Sequence, residues 1–248
     1  MSASKDCPES ARPATNGPLR SAFWWFLSKW SVRAIAKVWF RASYHGVANV
    51  PKSGPVLLVA NHASYIDPPL VGISAGRWVA FLAQAGLARI APLRWWMAQM
   101  GVTLVDRDQP SKQAIKMVAA TLHRGECVGI FPEGTRTRDG TVGSFKSGVE
   151  FLVRRTGATV VPVGLDGPSR AFPRGVWLPR PYRCTVRYGT PWSAERVLAP
   201  GGVEALRAEV ARLANLPLRA EPAVTPQVDP GRNPLPADVP SSSAGAGT

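Results

Sequence analysis

The chain has 248 residues, 45% of them apolar, and a formal net charge of +14 at pH 7. That length supports one substantial core with appendages, and the apolar share is too low for a polytopic membrane protein. The charge favours polyanionic partners: nucleic acid, anionic lipid, or a phosphorylated or acidic substrate.

Residues 1–19 are polar and contain proline, and they read as a disordered leader without the charged and apolar regions of a secretory signal. Residues 20–45 read as an amphipathic membrane-interface helix. Lys29, Arg33, Lys37 and Arg41 recur every four residues and form one drifting basic stripe, while Trp24, Trp25, Trp30, Trp39 and neighbouring aliphatic residues fill most of the remainder. A spanning helix needs ~20 apolar residues. This segment is too often interrupted by charge for that, so it lies in the interface, packs on the domain, or does both.

A folded domain, residues 46–216, follows as alternating strands and helices. Val56–Ala60 is a short apolar run without helical period, read as a buried strand. Residues 61–67 turn into a helix with Asp67 as N-cap and Pro68-Pro69 in its first turn. Residues 79–82 form a strand, and the apolar stretch 90–100 is interfacial or core. Residues 102–105 form a strand, and Ser111 caps a helix that Gly125 stops. Residues 127–131 and 159–163 are strands flanking a helix at 149–155, with a further strand at 184–188 and a last amphipathic helix at 202–216. This alternation predicts an α/β fold, a mixed sheet flanked by helices. Residues 217–248, rich in Pro, Ala, Ser and Gly, read as a disordered tail. Cys7, Cys127 and Cys184 are odd in number and widely spaced, which suggests no disulfide framework and fits a reducing compartment.

Four segments carry chemistry. In Asn61-His62-Ala63-Ser64-Tyr65-Ile66-Asp67, a histidine can take a proton near neutral pH, and a carboxylate on its other nitrogen would fix the tautomer. A five-residue offset puts two side chains ~140° apart on a regular helix, so they meet only across a turn. No G-x-S-x-G nucleophile motif occurs, so the base would activate a hydroxyl of the substrate itself. In Phe131-Pro132-Glu133-Gly134-Thr135-Arg136, Gly134 permits close backbone approach, Thr135 offers a hydroxyl and Arg136 can fork onto phosphate oxygens. Glu133 could orient Arg136 or contact a substrate hydroxyl. Residues 101–107 deliver Arg107 at a strand end, where α/β folds place ligand contacts. Residues 160–165, VVPVGL, read as a strand whose Pro162 belongs at an edge or irregularity.

In this order the four segments resemble the blocks of the glycerophospholipid acyltransferase family, best known for 1-acylglycerol-3-phosphate acyltransferases. NHASYID, GVTLVDR, FPEGTR and VVPVGL match its first to fourth blocks over residues 46–190. The resemblance implies the glycerolipid acyltransferase fold and an acyl-CoA or acyl-carrier-protein donor, with no metal or other cofactor. It implies His62 and Asp67 as the catalytic pair, and Arg107, Glu133, Gly134, Thr135 and Arg136 as the acceptor head-group site. Many relatives have a basic residue where this chain has Ala83-Gln84-Ala85, which weakens the case for a phosphate monoester acceptor.

The expected reaction is transfer of a fatty acyl group from a thioester to the free hydroxyl of a lysophospholipid, foremost 1-acyl-sn-glycerol-3-phosphate, giving phosphatidic acid. A lyso-ornithine lipid or a lysophospholipid undergoing remodelling is the alternative acceptor. A basic membrane- or nucleic-acid-binding module without catalysis is the rival of another class; the ordered motifs argue against it and against nucleic acid as partner. Membrane lipids are the expected partners, at the cytoplasmic face of the cell membrane in a peripheral or monotopic arrangement. A second cationic stretch, Arg170, Arg174, Arg180, Arg183 and Arg187, lacks acids between its members and suits either that face or an acidic carrier protein.

Overall fold

The computed structural model describes residues 22–84, 102–105, 110–137, 139–173, 175–176 and 178–220, with 22–29, 82–84, 102–105 and 110–113 described by backbone alone. Seven strands, β1 (Ser43–His45), β2 (Val56–Ala60), β3 (Val79–Gln84), β4 (Val102–Val105), β5 (Cys127–Ile130), β6 (Thr159–Asp166) and β7 (Thr185–Tyr188), form one sheet in the order β1-β7-β6-β2-β5-β3-β4. Strands β6, β2, β5, β3 and β4 are mutually parallel; β7 runs antiparallel to β6, and β1 parallel to β7. The expected mixed sheet flanked by helices is therefore present.

β2 is buried along its whole length because both faces are covered. Val56, Leu58 and Ala60 point into a core that also holds Leu70, Ile73, Phe40 and Val163. Leu57 and Val59 point into a second core with Leu122, Leu152, Val210 and Trp192. The strand period of two thus feeds two cores. α1 (Ala22–Val38) and α2 (Asp67–Ser74) supply the first. α3 (Pro110–His123), α4 (Gly148–Thr156), α6 (Ala194–Leu198) and α7 (Gly202–Ala214) supply the second. The short α5 (Pro168–Ala171) follows β6.

Several expectations are corrected. α3 begins at Pro110, so Ser111 lies inside the first turn and is not the cap; proline's fixed φ suits that entry. β6 runs on to Asp166 and lies inside the sheet, so of the two places expected for Pro162, an edge or an irregularity, it takes the second. Pro162 is tolerated there because the β7 side is irregular. The register slips by one residue between Val160↔Trp192 and Val163↔Tyr188, and Pro162 needs only its carbonyl, which accepts from the Gly189 N–H at 2.9 Å. The tail boundary at 217 falls too early. Leu218 bridges Val142, and the Val142 N–H and carbonyl pair with Pro217 and Arg219. β1, α5 and α6 were not foreseen; each spans five residues or fewer, too short for a periodic signal. The leader, the stretch 90–100 and residues 221–248 lie outside the described residues.

Candidate active site

Parallel strands all deliver their carboxyl ends to one edge of the sheet. β2 and β5 are neighbours, so the segment after β2 (residues 61–67) and the segment after β5 (residues 131–137) meet there. Asn61 secures the end of β2. Its Nδ2 donates to the Leu165 carbonyl at 3.1 Å, and its Oδ1 accepts from the Leu165 N–H at 2.8 Å.

His62 and Asp67 are brought together: Nδ1 to Oδ2 is 2.9 Å. The expected N-cap role of Asp67 is corrected, because Asp67 is the first helical residue and its side chain points back along the chain. Oδ2 accepts from the N–H groups of Ala63 and Ser64, each at 2.7 Å. These bonds curl the segment, and the curl is what lets a five-residue offset close. Asp67 is completely buried, while the His62 side chain is 20% exposed. Oδ2 acts as acceptor in all three contacts, so Nδ1 carries a proton, and in the neutral imidazole Nε2 has the lone pair.

The histidine is held by its ring face and by its main chain as well. Its ring stacks on Phe131 at 4.2 Å between centroids. Its N–H donates to Glu133 Oε1 at 2.9 Å, and its carbonyl accepts from the Thr137 N–H at 2.9 Å and from Oγ1 at 3.3 Å. Glu133, expected in the head-group site or orienting Arg136, also serves the main chain. Its second oxygen, Oε2, accepts from the Gly143 N–H at 3.1 Å, so the buried carboxylate braces two pieces of main chain. Burial pushes the Glu133 carboxyl up, and the His62 and Gly143 amides pull against that shift.

Arg136, on the same loop as Glu133, reaches back to the segment that carries His62. Its guanidinium carbon lies over the Tyr65 ring, 3.5 Å from the centroid. Nη1 is buried and has no hydrogen-bond partner among the described residues. A cation oriented by an aromatic face with an open donor is suited to receive an anion. Thr135 is exposed next to it, and Gly134 adopts φ 71°. A Cβ at Gly134 would stand 2.5 Å from Lys146 Nζ, so this turn places a second cation against the loop. Arg107 lies outside the described residues. β4, which leads to it, ends at Val105 opposite Gln84, the last residue of β3, at the same sheet edge.

Sequence reasoning missed Thr137, Lys146 and the bracing role of Glu133. Tyr65 was legible as part of the first block, but its pairing with Arg136 joins residues 71 apart in the chain, for which no local pattern exists.

Known proteins resemble this chain in sequence and in fold. A chloroplastic 1-acyl-sn-glycerol-3-phosphate acyltransferase of Arabidopsis thaliana is 34% identical over 161 residues, covering 64% of this chain and 45% of that protein. A lyso-ornithine lipid O-acyltransferase of Pseudomonas aeruginosa is 35% identical over 139 residues, covering 55% and 52% respectively. The chain thus spans about half the length of the curated relatives it matches. The crystal structure of the 1-acyl-sn-glycerophosphate acyltransferase PlsC from Thermotoga maritima superposes with a TM-score of 0.63 at 26% identity, covering 78% of this chain and 85% of that one. The model of the Acyltransferase family matches residues 41–166, which hold both segments of the site. By that match, this chain belongs to the acyltransferase family.

Proposed function

We propose that the protein moves a fatty acyl group from an acyl thioester to the free hydroxyl of a lysophospholipid, foremost 1-acyl-sn-glycerol-3-phosphate. The observation that carries this reading is the Asp67-oriented His62 beside an Arg136 with an open, buried donor. Nε2 of His62 takes the proton of the acceptor hydroxyl as its oxygen bonds to the thioester carbonyl carbon. The C–S bond then breaks, and the imidazolium returns the proton to the leaving thiolate. Asp67 stabilises the imidazolium in between. Acyl-CoA or acyl-carrier protein is the co-substrate, and the reaction as written uses no metal or cofactor and no nucleic acid. Transfer of radiolabelled acyl groups by the purified chain, across a panel of lysolipid acceptors with either donor, tests the reading. Absence of transfer to every lysolipid would overturn it.

A lyso-ornithine lipid acceptor is the second reading. It is favoured by Gln84, a neutral residue, at the carboxyl end of β3 on the site edge. It is also consistent with the similarity to a lyso-ornithine lipid O-acyltransferase. If lysophosphatidic acid is the best acceptor of the panel, this second reading fails.

Arg136→Ala should raise the acceptor KM by roughly 10- to 100-fold, the value of a charged hydrogen bond, and leave the donor KM nearly unchanged. A selective donor defect would reverse the assignment of this cation.

We also propose that the chain works as a peripheral protein on the cytoplasmic leaflet. Among the described residues no helix is long and apolar enough to cross a membrane. α1 packs on the domain through Val32 and Ala36, yet leaves Trp30, Ile35 and Val38 exposed, with Val38 at 77%, and Trp39 just after it is exposed too. The loop after α5 joins this face: Trp39 Nε1 donates to the Pro179 carbonyl, and the Cys184 N–H to that of Phe40. It adds exposed Leu178 beside Arg170, Arg180 and Arg183. This adjacency favours a lipid face over a carrier-protein site for these cations. Arg187 does not join them, since it faces Asp166 and the Leu213 carbonyl. Each cation near an anionic surface contributes about 1 kcal/mol. Reversing Lys29, Arg33 and Lys37 to Glu should therefore abolish sedimentation with anionic vesicles and spare turnover of a short-chain soluble acceptor. Salt should weaken wild-type binding through screening. Unchanged sedimentation of the triple variant would show that α1 is not the anchor.

A further inference from the structure

Arg207, on α7, is only 3% exposed. A buried guanidinium is costly unless its donors are used, and this one is used on main chain from two distant places. Nε donates to the Gly143 carbonyl at 3.0 Å. Nη2 donates to the carbonyls of Val142 at 3.2 Å and Arg219 at 2.7 Å, and Nη1 pairs with Glu204 at 2.8 Å. The segment 217–219 closes the same knot from its other side. It pairs with Val142 through two main-chain hydrogen bonds, and Arg219 forks onto Asp139 at 3.0 and 3.1 Å. Gly143, fixed by its carbonyl, presents its N–H to Glu133 Oε2, and Glu133 Oε1 holds the N–H of His62. An unbroken chain of bonds thus runs from α7 through Gly143 and Glu133 to the histidine.

We propose that Arg207, with the strap 217–219, is a positioning residue for the catalytic base: it fixes Gly143 so that Glu133 holds the His62 main chain in register with Asp67. Arg207 and the strap lie beyond residues 41–166, so the device is built from outside the segment the family model matches. The alternative is a buried cation that only ties α7 to the domain. The two differ in what reaches the site. An anchor acts on stability alone, whereas a positioning residue acts on turnover, and only through Glu133. The inference rests on the reading of His62 as base.

The test compares Arg207→Gln, Glu133→Gln and the double variant in the full chain. Arg207→Gln should lower kcat by roughly 10- to 100-fold, the scale of a small misplacement of a reacting group, with both KM values within about twofold of wild type. The double variant should be no slower than Glu133→Gln alone. Multiplying losses, or an unchanged kcat in a folded Arg207→Gln, would overturn the proposal. Should Arg207→Gln fail to fold, Gly143→Ala serves in its place. Its Cβ would stand 3.2 Å from Glu133 Oε2 and press on the same link with Arg207 intact. An unchanged kcat there would equally overturn it. If the wild-type chain transfers no acyl group, the reading of the reaction fails, and the relay is judged by hydrogen exchange at the His62 amide. At least tenfold faster exchange in the Arg207 or Gly143 variant supports the relay, and unchanged exchange removes it.

Discussion

His62→Ala is expected to lower kcat by about 10²- to 10⁴-fold, the usual contribution of a general base, in a protein that still folds. The reason for expecting a folded variant is specific to this site. The bonds that hold residue 62 to Glu133 and Thr137 are made by its main chain, and alanine keeps both. The losses are the stack on Phe131 and the contact with Asp67. Asp67 behaves differently, because its Oδ2 also holds the Ala63 and Ser64 amides in the interior. Asp67→Ala should therefore melt at lower temperature as well as lose turnover, since removing an acceptor strands buried donors. Asp67→Asn keeps an acceptor oxygen and should separate the two effects, with turnover lost and most stability retained. The double variant His62→Ala/Asp67→Asn should be no slower than His62→Ala alone, because the pair acts as a unit. Steady-state kinetics with thermal melts on the same samples decide this. Near-normal turnover of folded His62→Ala would end the proposed mechanism.

Gly164→Val should destabilise the fold by about 3 kcal/mol or more, at the upper end for overpacking a close contact. Gly164 sits within β6, and a Cβ there would fall on the backbone of Leu213 and Ala214 at the end of α7. Backbone cannot step aside as a flexible side chain can, so the helix must move off the sheet. For a chain of this size the loss corresponds to roughly 6–12 °C in Tm, read by circular dichroism or calorimetry. A Tm within about 2 °C of wild type would show that α7 yields without cost. The contact gives the glycine of the VVPVGL block a physical reason: it lets the helix that carries Arg207 seat directly on β6.

Much of the site was legible in the sequence because its parts are local. Val56–Ala60 is an uninterrupted apolar run, so a strand buried on both faces could be read from it, and the polar block that follows had to be its exit. The same held for Cys127–Ile130 and the loop beginning at Phe131. Once both were strands of one α/β sheet, strand direction sent His62 and Arg136 to the same edge. The need for a turn between His62 and Asp67 also followed from helix geometry alone. Tertiary structure decided which groups the side chains serve. Glu133 looked free for substrate as a charged residue in a loop, yet its two oxygens go to amides 71 residues before it and 10 after it. The segment 217–219 has the composition of a tail, yet it is ordered by Val142 and Arg207. Local sequence records propensity and period, which depend on near neighbours. A buried hydrogen bond between distant segments depends on where the folded chain leaves a donor without water, and that is settled only when the sheet and α7 have closed around it.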